Sequence, residues 1–419
     1  MAIIKAIRAR EILDSRGIPT LEAEIWLDSG HYAVASIPSG TSTGKYEAVE
    51  LRDNDPRRFR GQGVLKAIAN VNTVIAPQLL GRDPTAQTEI DQLLINLDGT
   101  KNKSKLGANA ILSVSQAVCE VAAVSLNLPT YLYLAWKYGN KDKVTKLPTP
   151  TFNVINGGKH GAGNLDFQEF HIIPSTLKSY HEALQLGEEI YQTLEQVLID
   201  KGAIHSVGVE GGFTPNLFTN LDALEAIMEA ITRTAYRFSQ DVFLGLDLAA
   251  SNFFKNNRYT IKDRAQPFST QDMIAYFEEL KRNYHIFSLE DPLQEDDWAG
   301  WQELTSLLSS TTVIVGDDLL ATNKDRVRKA IDMKACNAIL VKPNQIGTIS
   351  ETVEVINLAR TAGWKIIVSH RSGETNDEFI ADFAVGLAAD YTKFGAPVRG
   401  ERVAKYNRLL AIEAEITPL

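Results

Sequence analysis

Cysteine is almost absent from this chain. Of 419 residues only Cys119 and Cys336 carry a thiol, each inside an apolar segment. That excludes a disulfide framework and any cysteine-based zinc spacing, and it fits a reducing compartment in which both thiols are buried and inert. Lys/Arg-rich runs are missing as well, and the formal net charge is −9. Nucleic acid and an anionic membrane surface are therefore excluded as main partners, and a small anionic substrate would need local cations or metal. No long hydrophobic run is unbroken. The most apolar stretch, from Ala108 to Leu134, is interrupted by Asn109, Gln116, Glu120 and Pro129, so it reads as core and not as a membrane span. Lys5, Arg8, Arg10 and Glu11 leave the opening segment without the apolar core of a signal peptide. A soluble cytoplasmic protein is expected. Also absent is a glycine-rich phosphate turn between a first strand and a helix, which a doubly wound open sheet would want.

What is present suits two domains and a large core: 44% of residues are hydrophobic and 23% charged. Residues 3 to 37 alternate apolar and polar positions, with Asp28-Ser29-Gly30 as a turn, which predicts an antiparallel meander. Helical spacing follows, with Val64, Ile68, Val71 and Ile75 on one face and a nearly all-apolar helix from Ala110 to Leu126. A polar stretch at Lys141 to Lys146 ends this part, giving an α+β capping domain over 1–140 and a second domain over 141–419. Beyond it, FNVIN and the run from Phe167 to Ile173 are separated by a loop too short for a helix and should pair directly. Two amphipathic helices come next, one with Ala183, Gly187, Ile190, Leu194 and Val197 on a face, the other with Leu221, Leu224, Met228 and Ile231. Six strand-helix pairs complete the chain, the last strand being YTKFG. The order ββαα(βα)6 predicts an α/β protein with a closed eight-stranded barrel.

Five of the buried strands deliver a charged or titratable side chain at their C-terminal ends: Asp247 after VFLGL, Glu290 in IFSLED, Asp317 in VIVGDD, Lys342 after AILV and His370 after KIIVS. From Glu290 onward these tips recur about every 25 to 28 residues, the length of a strand plus a returning helix, and barrel enzymes collect their chemistry where parallel strands end. Asp247, Glu290 and Asp317 are hard oxygen donors with no neighbouring histidine or cysteine, so Mg²⁺ is the expected metal. The competing reading of such acids is a helix N-cap, which Asp291 or Asp318 would supply. Lys342, among other cations, is a candidate base pushed towards neutrality, or else a structural lysine paired with an acid. Lys393 and Arg371 could hold a carboxylate and a phosphate, with Ser372 and Gly373 extending the cradle. Glu210 precedes Gly211-Gly212, a loop that lets backbone approach a ligand, whereas Glu169 either serves the site or faces solvent. His160 lies in a glycine-rich loop. Residues 39–44, SGTSTG, read as a mobile lid or as an ordinary surface loop.

Together these stretches resemble the enolase family along essentially the whole chain: REILDSRG at 10–17, PSGTSTGKYEA at 38–48, NKSKLGANAIL at 102–112, NVINGGKH at 153–160, QEF at 168–170, EGGFTPN at 210–216, GLDLAAS, SLEDP, GDDL, NQIG at 344–347, SHRSGET at 369–375, and ERVAKYN at 401–407. Racemases and lactonising enzymes of the wider superfamily share the barrel and acid triad but lack the SHRSGET stretch and the lid. The resemblance implies Mg²⁺-dependent, reversible dehydration of 2-phospho-D-glycerate to phosphoenolpyruvate in glycolysis and gluconeogenesis. It implies Lys342 as base, Glu210 as acid supported by Glu169, and His370 beside them. It also implies a first Mg²⁺ on Asp247, Glu290 and Asp317, a second shared by Ser42 and phosphate, and substrate contacts from His160, Gln168, Arg371, Ser372 and Lys393. A homodimer is implied, in some members assembled into octamers, with REILDSRG at the dimer contact, and so is occasional exposure at the cell surface.

Departures from the family pattern are Val209 for an acid, Pro343 for an aliphatic residue, Lys159 for a small one, Asp390-Tyr391 for a Gly-Gln pair, Phe394 for a small hydroxyl residue and Gly400 for serine. Val209 removes a charge beside Glu210, and Pro343 fixes φ directly after Lys342, so an altered rate or pH profile is expected. The alternative is a divergent copy that acts mainly as a binding or scaffold protein.

Overall fold

The computed structural model describes residues 2–40, 44–144, 146–161 and 163–417. Strands β1 (Ile4–Leu13), β2 (Pro19–Leu27) and β3 (Tyr32–Ser36) form the expected meander. Ala23 pairs with Ala9 on one side and Ala35 on the other, and the buried positions Leu21, Ala23 and Ile25 alternate with outward-facing acids. The helix Ala108–Ser125 lies against β2 and β3 and is buried almost all round, as its largely apolar composition requires. Val64, Val71 and Ile75 are fully buried, but the helix carrying them widens to a π-type turn over Asn70–Ile75 and leaves Ile68 half-buried. Next to that turn Asn72 clamps the backbone of Ala9, accepting from its N–H at 2.8 Å and donating to its carbonyl at 3.2 Å.

The second region is a closed barrel. Strands β4 (Thr149–Asn156) and β5 (Glu169–Pro174) pair directly and antiparallel. Helices Tyr180–Asp200 and Asn220–Thr232 follow, and then β6 (Val242–Asp247), also antiparallel to β5. A short hairpin, β7 (Phe254–Lys255) and β8 (Arg258–Tyr259), stands outside the barrel. Strands β9 (Ser288–Glu290), β10 (Val313–Gly316), β11 (Ala338–Val341), β12 (Lys365–Ser369) and β13 (Tyr391–Lys393) continue in parallel, and β13 closes on β4. The order ββαα(βα)6 is therefore present, with β5 as the lone antiparallel strand.

The first barrel helix buries the face read from its spacing, and at Gly187 it approaches Phe152 so closely that a Cβ would lie 2.2 Å from the ring. The second helix is rotated relative to its expected face. Ala223, Leu224, Ala226, Ile227, Ala230 and Ile231 are buried, whereas Leu221 and Met228 are only partly covered, because small alanines let the helix approach more closely. Caps agree with the chemistry of the sequence: Ser179, Thr219 and Ser269 each form a reciprocal capping box with the acid three residues on. Buried polar ties cross between the two regions. Asp91 accepts from Ser350 N at 2.9 Å, Ser115 Oγ accepts from Ile349 N at 3.0 Å, and Lys103 pairs with Glu351 at 2.9 Å.

Candidate active site

Strand register lines up the first carboxylates. Glu169 on β5 stands opposite Asp247 on β6, which stands opposite Glu290 on β9. Asp317 follows the end of β10, the neighbour of β9, so four acids come from four adjacent strands at one end of the barrel. The lysines enter from the other side. Lys393 on β13 donates to Glu169 at 2.9 Å, Asp247 at 3.0 Å and Glu290 at 2.8 Å, and Lys342 after β11 donates to Asp317 at 2.5 Å. A cavity of about 240 Å³ opens here, lined among others by Lys342, Lys393, Glu169, Glu210, His160 and Arg371.

The electrostatics follow from burial and pairing. Burial alone would discharge Lys393, but Asp247, Glu169 and Glu290 reverse the effect and hold its pKa well above the ordinary lysine range. Lys342 is likewise raised, burial being outweighed by Asp317. A lysine pushed towards neutrality is thus not what this arrangement contains; the short ion pair to Asp317 keeps the ammonium. Asp317 is correspondingly lowered, Lys342 and Lys393 overcoming burial. Glu290 moves the other way, raised by burial and by Asp247 beside it. Four carboxylates thus share two ammonium groups.

Opposite the lysines is a second polar group. His160 Nδ1 lies 3.1 Å from Glu169 and 3.2 Å from Glu210, and these carboxylates, working against burial, push its pKa up to about 10. Glu169 also receives His171 Nε2 at 2.8 Å, and with Lys393 opposing burial its pKa lies well below the carboxylate norm. Glu169 is 1% exposed, which removes its solvent-facing reading. Glu210 accepts from Asn153 Nδ2 at 3.0 Å. His370 is buried, with Nε2 3.9 Å from Glu210 and Nδ1 2.8 Å from Arg402, and burial together with that guanidinium lowers its pKa strongly.

The remaining sequence candidates fall around the same cavity. Gln168 donates to Asp247 at 3.2 Å, and Arg371 donates to Glu47 at 2.9 Å and to Asn344 at 3.0 Å. Ser372 lines the wall. Glu290 is in reach through Lys393 but lies beneath the lining. Ser42, with Thr41 and Thr43 of the segment read as a lid, lies outside the described residues. The roots of that segment are held: Ser39 N donates to Gly373 O at 2.7 Å, and Gly373 N returns a bond to Ser39 O at 2.9 Å. Asp291 and Asp318 do not cap helices. Asp291 accepts the N–H groups of Asp317 and Asp318 at 3.1 and 2.7 Å and so ties one strand end to the next, while Asp297 and Asn323 cap the two helices that follow.

Several contributors carried no signal of their own in the sequence. Arg402, Glu47, Gln345, Asn153 and His171 all contact named site residues. Gln345, for example, donates to Asp317 at 3.1 Å and is itself oriented by Thr322 at 2.6 Å. Four of them sit inside the stretches that carry the resemblance, which was the available signal. His171, two residues along the strand from Glu169, could have been found by period-2 alternation.

As to known proteins, residues 4–134 match the family model described as "Enolase, N-terminal domain" and residues 144–418 the one described as "Enolase, C-terminal TIM barrel domain".

Proposed function

The chain belongs to the enolase family, and from that premise we propose that it catalyses the reversible dehydration of 2-phospho-D-glycerate to phosphoenolpyruvate. The observation that carries this reading is that Lys342 and Glu210 line one small cavity, about 240 Å³, whose lining also supplies Lys393 and Arg371 for an anionic substrate. A proton beside a carboxylate is hardly acidic, so its removal builds a dianionic intermediate that needs concentrated positive charge.

A divalent cation suits the donor set. Asp247, Glu290 and Asp317 offer only buried hard oxygens, and with Glu169 they set four carboxylates against the two ammonium groups of Lys342 and Lys393. We assign those three residues to Mg²⁺, which when bound would supply electrostatic stabilisation of the substrate carboxylate as its charge grows. Enolase-superfamily sites in general combine a Lys or His base with one or two Mg²⁺. Were a cation held by Asp317, it would compete for the carboxylate that keeps the Lys342 ammonium charged, and the Lys342 amine would be freed to serve as the base.

In the forward direction Lys342 Nζ takes the C2 proton. Glu210 then protonates the departing 3-hydroxyl, the C3–O bond breaks, water leaves and a C2–C3 double bond forms. His160, charged and within reach of both Glu210 and Glu169, holds the proton that keeps Glu210 supplied, while Glu169 stays ionised between Lys393, His160 and His171. Lys393 orients the substrate carboxylate, and Arg371 with Ser372 the phosphate. Residues 1–140 are assigned to the capping domain, and the working unit is proposed to be a cytoplasmic homodimer. The test is absorbance-detected formation of phosphoenolpyruvate with and without Mg²⁺. Metal-dependent turnover supports the reading; absence of turnover from folded, Mg²⁺-saturated protein overturns it in favour of a binding role.

A further inference from the structure

Arg402 lies outside the cavity and is fully buried, yet four of its hydrogen bonds end on the loops that build the cavity. One terminal nitrogen, Nη1, donates to His370 Nδ1 at 2.8 Å and to Arg371 O at 2.7 Å; the other, Nη2, donates to Ser372 O at 2.6 Å and to Val209 O at 3.1 Å. Its Nε faces the Glu401 carboxylate at 3.5 Å. The contact with His370 is tight on the far side too: at Gly395, where φ is +90°, a Cβ would lie 3.1 Å from His370 Cε1 and 3.3 Å from Arg402 Cδ.

A guanidinium has five N–H donors and no acceptor. Whatever it meets at 2.8 Å must offer a lone pair, so His370 Nδ1 carries no proton. We propose that Arg402 is a positioning residue that locks His370 as the neutral Nε2–H tautomer, making it a hydrogen-bond donor into the cavity towards Glu210 and barring it from acting there as a base. Protonation at Nδ1 would set two N–H groups head to head between two buried side chains. The charged groups around the imidazole act in both directions, Arg402, Lys393 and Lys342 against a further positive charge and Glu169 and Glu210 in favour of it. The Arg402 contact is the closest of them and decides the tautomer. Because the same side chain grips the carbonyls of Val209, Arg371 and Ser372, it also fixes the spacing between the Glu210 loop and the Arg371 loop.

The tautomer stands on geometry alone; its consequence for catalysis rests on the dehydration reading above. The first experiment therefore needs no substrate. In protein with ¹⁵N-labelled histidine, His370 being assigned by comparison with His370→Gln, two-bond ¹H–¹⁵N spectra should show a bare Nδ1 and a protonated Nε2. This pattern should persist over roughly pH 5 to 8, where an ordinary imidazole titrates. In Arg402→Met the pattern should give way to mixed tautomers or to titration in that range. A wild-type His370 that is protonated at Nδ1, or doubly protonated at neutral pH, overturns the proposal, and so does an Arg402→Met spectrum identical to wild type. Should Arg402→Met fail to fold, the wild-type spectrum and Arg402→Lys, which keeps the charge but not the planar fork, carry the same test. Where turnover is measurable, Arg402→Met should lower kcat roughly 10- to 100-fold, the scale on which loss of a partner that fixes a histidine is felt, with the pH-rate profile displaced as well. A lower kcat with an unmoved spectrum would assign Arg402 to loop packing only.

Discussion

The two ends of the barrel are made from the same strands and could hardly be less alike. At the mouth, Asp247, Glu290, Asp317, Lys342 and Lys393 crowd together. At the base, Ile173, Val315, Ala338, Leu340, Ile367 and Tyr391 form a separate apolar cluster, flanked by Phe243 and Phe287. Strand β13 shows the contrast within three residues, since Tyr391 packs 6.2 Å from Phe287 while Lys393 faces three carboxylates. The base is held by close packing and tolerates exchange of one hydrophobe for another. The mouth is held by charge pairs whose members cannot be removed singly without leaving an unpaired buried ion. Departures from the family pattern therefore differ in meaning with position. Asp390-Tyr391 and Phe394 serve structure: Asp390 accepts from Lys365 at 2.8 Å and from Ile366 N at 3.0 Å, and Phe394 packs against Tyr406. Val209, Pro343 and Lys159 stand at the mouth.

The contrast can be broken most sharply at Lys342. Lys342→Ala should lower kcat by about 10²- to 10⁴-fold, the range carried by general acid-base groups, with circular dichroism still reporting a folded barrel. The converse comes from the base. Tyr391→Ala should cost about 3–5 kcal/mol in urea unfolding, the range for truncating a buried aromatic ring, while kcat of the folded protein stays near wild type. If Tyr391→Ala instead left stability intact and removed activity, the division between the ends would be wrong.

A pH scan sharpens the mouth. His160 keeps its proton in the folded protein up to about 10, whereas in the unfolded chain it loses it near 6.5. Its stabilising contribution is fully present below the lower value and fades as pH rises through the upper one. Melting temperatures followed across that interval should fall less in His160→Gln than in wild type. Smaller effects are expected at the rim. Lys159 is exposed at the cavity edge with no carboxylate partner among the described residues, so Lys159→Ser should lower kcat/KM by only about two- to fivefold, and added salt should erase the difference. Val209→Asp is expected to move the pH-rate profile by up to about one unit; an unchanged profile would acquit Val209.

Much of the fold was legible because periodicity changes sharply along the chain. Period-2 alternation gave β1 to β3, buried aliphatic runs gave the barrel strands, and the short loop between FNVIN and Phe167 announced the antiparallel pair. The rotation of the Asn220–Thr232 helix was not legible, since alanine counts weakly in an apolar stripe yet decides how closely two surfaces approach. At the site, residue types at strand ends brought out the acids and lysines. Their partnerships could not be read: Lys393 binding three carboxylates at once, and Lys342 tied to Asp317, depend on register between strands far apart in sequence. Arg402 was invisible for a related reason, because nothing in ERVAKYN says that an arginine on the last helix reaches the end of β12.

The most direct test follows the C2 proton of 2-phosphoglycerate in deuterated, Mg²⁺-containing buffer, comparing wild type with Lys342→Ala and Glu210→Gln. Proton removal by Lys342 and hydroxyl departure assisted by Glu210 predict that Glu210→Gln still exchanges the C2 proton while forming little phosphoenolpyruvate, and that Lys342→Ala does neither. Exchange that survives in Lys342→Ala would contradict the account, because another group would then be the base.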